Sequence, residues 1–301
     1  MPHGKCSVIL NKKDGIIYHP QIYVPPLKIQ GIKTKLVETI AKYIVLEKDS
    51  VWFEPFMGSG VVGFNLAPRK AVFADTNPSI ISFYEAIKNK QITSSLVRSF
   101  LQQEGAILAE KDDTHYYFVR ERFNKERNPL DFLFLNRSCF NGMMRFNQKH
   151  EFNVPYGHKP KRFSKAYVTK IVHQVEYLEK LLQENDWQFF CCSFEEIIKQ
   201  ATCHDFIYCD SPYIGRHVDY YDSWDEVKER TLKDVLFASR AKFMVSTWDK
   251  NAYRRNDYID LFWQECQKIT MDHFYHIGAK QKNRNPITEA LLLNYATNEQ
   301  K

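Results

Sequence analysis

Val51-Trp52-Phe53-Glu54-Pro55-Phe56-Met57-Gly58-Ser59-Gly60 is the stretch on which the fold turns. Its first four residues form an apolar run closed by an acid, the length of a buried strand. Pro55 and the two glycines then break the run, and a helical stretch follows. Upstream, Leu36, Val37, Ile40, Ala41 and Ile44 recur at helical spacing. Downstream, Ala71-Val72-Phe73-Ala74 predicts a second strand that ends on Asp75, and Asn77-Pro78 starts another helix. This βαβα order predicts an α/β chain with a doubly wound parallel sheet. Gly58, Gly60 and Gly63 match a dinucleotide-binding glycine pattern only loosely, and a structural strand–helix turn fits them too. Glycine lets the backbone approach a ligand closely, and an acid at the next strand end can accept ribose hydroxyls. Together these features point to a nucleoside ligand without saying which.

The pattern changes after residue 92. Residues 93–167 are helical and then loop-like, and dense in Arg, Asn, Phe and Tyr. Sheet-like segments return at Gln188–Cys192, Phe206–Cys209, Lys242–Thr247, Lys268–His276 and Ala290–Tyr295. The expected organisation is a lead-in at 1–21, one α/β domain formed by 22–92 and 168–301, and a mainly helical insert at 93–167.

Phe206-Ile207-Tyr208-Cys209 runs into Asp210-Ser211-Pro212-Tyr213. This sets an acid, a rigid kink and an aromatic at the carboxyl end of a strand, where open α/β sheets bind ligands. Asp, Ser and Pro also make ordinary turns. The chemical reading is more specific. The exocyclic amino group of adenine is a poor nucleophile because its lone pair is delocalised into the ring. A carboxylate and a backbone carbonyl that accept its N–H protons draw the nitrogen towards tetrahedral geometry. The lone pair is then free for in-line attack on a methyl group, and Tyr213 can stack on a flipped base.

Composition bounds the class. Hydrophobic residues make up 44% of the 301, which is globular rather than disordered. A net charge of +6 suits a polyanionic partner without requiring one. The seven cysteines form no CxxC pair, so free thiols in a reducing cytoplasm are expected, with no metal site. No apolar run approaches membrane-spanning length, and the start lacks the apolar core of a signal peptide.

Five ordered segments resemble the Dam-like, alpha-class (D12) family of DNA adenine-N6 methyltransferases. They are Val24–Leu36, Glu54–Gly60, Phe134–Gly142, Phe152–Gly157 and Asp210–Tyr213, with further likeness through Gln30–Val37 and Tyr213–Tyr220 to modification enzymes of restriction–modification systems. The resemblance covers residues 24–295 and implies a Rossmann-like methyltransferase sheet with an inserted DNA-recognition domain. It implies that S-adenosylmethionine is the cofactor and is bound through Ile29, Lys33, Glu54, Phe56, Gly58, Gly60, Asp75 and Asp210. The family often has Trp where this chain has Ile29. Asp210, Ser211, Pro212 and Tyr213 would form the catalytic motif, with Ser211 in place of the family's usual proline. Arg137, Asn141, Arg145, Asn153, Lys159, Lys161 and Arg162 would contact double-stranded DNA. Of these, Asn141–Arg145 would approach the bases, and Lys159 to Lys165 the backbone. Arg forks guanine, Asn pairs adenine and Lys neutralises phosphate; a solvated basic surface, or an ion pair at Arg137, is the plainer alternative. The implied setting is the cytoplasm, in functional pairing with a restriction endonuclease but without a stable complex.

Other chemistries fit less well. A cytosine-C5 enzyme needs an activated thiol after a proline, and the chain has no Pro-Cys dipeptide. Serine in the tetrapeptide is more typical of N4-cytosine enzymes, whereas RNA and protein-glutamine enzymes begin that tetrapeptide with Asn. A DNA-binding protein that has lost catalysis is the alternative from a different class.

Overall fold

The computed structural model describes residues 22–214, 224–251, 253–274 and 286–297. Ahead of them lie two short strands, β1 (Ile9–Leu10) and β2 (Ile17–Tyr18), which pair antiparallel. The rest of the expected lead-in, residues 215–220 of the family likeness and the end of the Lys268–His276 segment lie outside the described residues.

A seven-stranded sheet organises the chain: β3 (Trp52–Glu54), β4 (Lys70–Asp75), β5 (Asp186–Cys191), β6 (Phe206–Cys209), β7 (Lys242–Lys250), β8 (Gln267–Phe274) and β9 (Pro286–Leu293). Its order is β5-β4-β3-β6-β7-β9-β8. The first five are parallel, whereas β9 runs antiparallel to both β7 and β8. The five parallel strands carry the expected doubly wound arrangement, and the antiparallel β9 inserts between β7 and β8. The link 275–285 is shorter than the crossover a parallel β8–β9 pair would need.

Period-two alternation gives each central strand two buried faces. Trp52, Phe73, Phe206, Tyr208, Met244 and Leu291 face one core, while Phe53, Ala74, Ile207, Cys209, Phe243 and Leu292 face the other. The first core is covered by α1 (Val37–Tyr43), α2 (Val61–Leu66) and α3 (Pro78–Lys88). Asn77 caps α3 by accepting the Ser79 N–H at 3.0 Å, with Pro78 in the first turn. Next come α4 (Ser94–Lys111), α5 (Asp113–Glu126) and α6 (Pro129–Ser138), then α7 (Lys165–Glu184). Their Leu101, Tyr116, Phe132 and Val172 join the same apolar cluster as Trp52 and Phe73, so the helical stretch packs onto the sheet rather than around a core of its own. The second core is closed by α8 (Phe194–Ile198), α9 (Glu226–Ser239) and α10 (Asp257–Phe262). Among the described residues no helix is long and apolar enough to cross a membrane.

Candidate active site

The chain leaves β3 towards β4 on one side, while β6 lies on the other. The crevice beyond the carboxyl ends of β3 and β6 is thus a topological switch point, the usual ligand position in such sheets. One wall is the glycine turn. Gly58 and Gly60 sit at φ +47° and +71°, in the left-handed region that glycine tolerates. The Asp75 carboxylate, half-buried at the end of β4, holds this turn. It accepts the Gly58 N–H at 3.0 Å and the Asn77 N–H at 2.8 Å. Burial pushes its pKa up to about 6 against those two bonds. Glu54 is buried beneath the turn and accepts Trp52 Nε1–H and the Gly63 N–H, each at 3.0 Å. Burial pushes its pKa up to about 8 against those two bonds. A Cβ at Gly63 would stand 2.5 Å from Glu54 Oε2, so the strand end and the helix start admit nothing larger there.

The opposite wall is the segment before α1. Two asparagine side chains hold its backbone as a strand neighbour would. Asn65 Oδ1 accepts the Tyr23 N–H at 2.7 Å and its Nδ2 donates to the Tyr23 carbonyl at 2.9 Å. Asn136, at the end of α6, exchanges the same pair of bonds with Lys28 at 2.8 Å each. So pinned, the segment lays Ile29 near Gly58, where a Cβ would be 3.6 Å from Ile29 Cδ1. It also delivers the buried Lys33 ammonium to Asp210, with Nζ 2.9 Å from Oδ1. Burial raises the Asp210 pKa while Lys33 pulls it down, and the net direction is up. The Tyr213 ring centroid lies 5.0 Å from Lys33 Nζ, and its hydroxyl donates to Glu289 Oε2 at 2.6 Å. Ser211 is buried and Pro212 half-buried between them. Phe56 packs on Phe194 and Trp224, with centroids 5.3 and 5.4 Å away, and Glu229 accepts the Trp224 indole N–H at 2.6 Å. The centre therefore combines a carboxylate ion-paired to an ammonium, an aromatic ring and an aromatic-lined glycine turn. Such a set can accept an N–H proton and hold a flat base.

The basic segment after α6 divides in two. Cys139 bridges Tyr156 and Phe146 bridges Phe152, so residues 139–157 fold back on themselves. Asn141 is exposed in a turn at φ +53° beside Gly142. Arg145 is half-buried, with its Nε donating to Asn153 Oδ1 at 2.8 Å and its Nη2 to the Asn153 carbonyl at 3.3 Å. Lys159 and Lys161 are exposed. Arg137 is different, and its expected DNA contact is corrected. It is only 4% exposed, and it donates to Gln174 Oε1 at 2.6 Å and the Tyr167 hydroxyl at 3.3 Å. A long cation turned inward, bonded through both Nη groups while its buried Nε makes no hydrogen bond, fastens α6 to α7. Arg162 shares that knot: it stacks on Tyr167 at 4.5 Å and donates to the Arg137 carbonyl at 2.9 Å.

Known proteins fit this geometry. The model of the D12 class N6 adenine-specific DNA methyltransferase family matches residues 30–277. The chain belongs to this family. It is 33% identical over 307 residues to the type II methyltransferase M.MjaIII of Methanocaldococcus jannaschii, covering 90% of this chain and 99% of that one. It is 28% identical over 302 residues to the type II methyltransferase M.FokI of Planomicrobium okeanokoites, covering 96% of this chain but 46% of that protein. A DNA adenine methylase of Haemophilus influenzae is 32% identical over 196 residues, 63% of each chain. The chain thus spans less than half of M.FokI and nearly all of M.MjaIII.

Within this D12-class chain, the cofactor and catalytic candidates read from the sequence lie on the segment before α1 and at the carboxyl ends of β3, β4 and β6. The structure adds others that the sequence did not reveal. Asn65, Asn136 and Glu229 act through partners 42, 108 and 5 residues away in the chain. Glu289 was the most accessible of those missed. It is an acid at the head of the apolar run Ala290–Leu293, one residue before the stretch recognised as a strand. Every cysteine among the described residues is a free thiol, and no group of His, Cys, Asp and Glu among them is arranged to hold a metal ion.

Proposed function

We propose that this D12-class protein transfers a methyl group from S-adenosylmethionine to N6 of adenine at a specific site in double-stranded DNA. The observation that carries this reading is the Lys33–Asp210 pair beside Tyr213 at the end of β6, facing the glycine turn. The residues fit the cofactor. Asp75 offers acceptors to a ribose diol, Ile29 and Phe56 offer apolar walls, and Gly58 allows close approach by the methionine portion. Bound there, S-adenosylmethionine would supply an electrophilic sulfonium methyl.

The chain's own groups do the rest. Asp210 and a neighbouring backbone carbonyl accept the adenine N–H bonds, and the nitrogen lone pair turns out of the ring plane. That lone pair would be free to take the methyl that S-adenosylmethionine supplies, and the nitrogen would then shed one proton. Asp210 is made more basic by burial and is placed to take it. Lys33 holds the carboxylate's aim, and Tyr213 gives the extruded base a face to rest on. In the insert, 93–167, Asn141 and Arg145 read bases, with Asn153 supporting Arg145, while Lys159 and Lys161 meet phosphate. Arg162 adds positive charge at the edge of that surface.

The type II methyltransferase names of two relatives support a modification enzyme; we propose that it works in the cytoplasm, paired in function with an endonuclease without a stable complex. The test is transfer of labelled methyl to unmethylated DNA, with the modified base mapped by sequencing. N6-methyladenine at one recurrent site is expected. N4-methylcytosine, or no transfer, refutes the reading.

A further inference from the structure

We propose that Glu289 is a positioning residue for methyl transfer: by accepting the Tyr213 hydroxyl it fixes the aromatic platform on which the target base rests. This rests on the methyl-transfer reading above. The sheet register brings the two side chains together. Cys209, the last residue of β6, pairs with Val245 of β7. Three residues further along β7, Trp248 pairs with Glu289 of β9. Asp210 to Tyr213 extend past the same edge, and there the Tyr213 hydroxyl meets Glu289 Oε2 at 2.6 Å. Glu289 is 0% exposed and is followed by the fully buried Ala290, Leu291, Leu292 and Leu293. An apolar residue would suit that strand better, because a buried carboxylate is costly unless it is paired. Its pairing with a catalytic-motif tyrosine gives the acid a use that packing does not.

The mechanical consequence is specific. A tyrosine ring anchored only at Cα can swing about two side-chain torsions. Tyr213 is held at its backbone by Pro212 and at its far end by Glu289. Lys33 Nζ stands 5.0 Å from the ring centroid. Loss of the tether should therefore slow transfer by misplacing the base, and leave cofactor affinity alone.

A double-mutant cycle tests this. Single-turnover transfer is measured for Tyr213→Phe, Glu289→Gln, Glu289→Leu and the combinations with Tyr213→Phe. The duplex carries whichever site the unaltered protein methylates. A hydrogen bond to a charged group predicts about tenfold slowing for Tyr213→Phe and for Glu289→Leu. Glu289→Gln keeps an acceptor oxygen and should lose only about threefold. Neither Glu289 substitution should slow the Tyr213→Phe protein further, and S-adenosylhomocysteine affinity should stay within about twofold throughout. With 2-aminopurine at the target position, fluorescence should show a flipped base that is less well stacked in the slowed variants.

If Glu289→Leu does not fold, Glu289→Gln with and without Tyr213→Phe closes the cycle. Multiplying rate effects, or equal losses of cofactor affinity and rate, would overturn the tether and leave Glu289 a structural residue. Absence of any transfer by the unaltered protein overturns the methyl-transfer reading and this role with it. Coupling between the two sites in thermal unfolding then still reports on the contact itself.

Discussion

Asp75 carries a prediction whose size and direction follow from its surroundings. Its carboxylate already accepts two backbone N–H groups, at 3.0 and 2.8 Å, yet burial pushes its pKa up to about 6. Each carboxylate oxygen can accept more than one bond, so room remains for the ribose hydroxyls. Replacement by alanine removes charge-assisted bonds worth about 1.5–3 kcal/mol, a 10- to 100-fold loss of affinity. The native protein should show a pH effect as well. Binding to the carboxylate form should be flat above pH 7 and weaken below about 6, approaching tenfold per pH unit in the acid limit. Asp75→Asn keeps an amide oxygen for Gly58 but cannot titrate, so its weaker binding should be flat with pH. Calorimetric titration with S-adenosylhomocysteine from pH 5 to 8 measures all three.

Unfolding would not mimic this result through Asp75. A carboxyl whose folded pKa lies above its unfolded value contributes stability that is complete below the unfolded pKa of about 3.9 and is lost as pH rises through about 6. Acidification therefore favours the fold at this residue while it weakens the ligand. Equal affinity at pH 5 and 7.5, or unchanged affinity for Asp75→Ala, would refute the assignment of Asp75 to the ribose.

Four further outcomes are expected. Gly63→Ala should lower unfolding free energy by about 1–3 kcal/mol in denaturant titration, because its Cβ meets Glu54 and Phe73. Arg145→Ala should relax sequence choice in competition binding on matched and mismatched duplexes. Lys161→Ala should instead weaken all sequences alike and reduce the salt slope by about one unit; equal losses on both duplexes for Arg145→Ala would make it a backbone contact. Arg137→Ala should cost about 1–3 kcal/mol of stability through its lost internal bonds and leave the salt slope unchanged; a lower slope would return it to the DNA-facing set. Asp210→Ala should abolish labelled-methyl transfer with DNA binding retained, while Ser211→Pro should turn over as fast as the natural protein or faster. An inert natural protein revived by Ser211→Pro would mean a catalytically impaired chain.

What was legible in the sequence was local. The strand ending at Glu54, the glycine turn, Asp75 at the next strand end and Asp210 at a third are each a few residues long, and their apolar runs and turn formers are contiguous. A strand's direction is not written in its own residues. The inversion of β9 follows from the shortness of the 275–285 link and from pairing with β7, a strand distant in the chain. Arg137 misled for a related reason. In a stretch dense in cations its residue type suggested phosphate or base contact. Its fate was set by Gln174, a polar residue on the buried face of a helix thirty-seven positions later.

Asn136 shows why such partners matter. Among the described residues no strand pairs with the segment 23–33, and its backbone groups at Tyr23 and Lys28 bond to side chains instead. An asparagine amide offers one donor and one acceptor in the spacing of a peptide group, so Asn65 and Asn136 stand in for the missing strand at Tyr23 and Lys28. Asn136 also sits three residues before Cys139, where the loop 139–157 begins, and a Cβ on Gly142 in that loop would stand 2.8 Å from Lys28 Cδ. One short stretch of backbone is thus gripped by the recognition segment at Lys28 and reaches the catalytic carboxylate at Lys33. The stretch that carries Lys33 to Asp210 is held by Asn136 at the end of α6 as well as by Asn65 of α2.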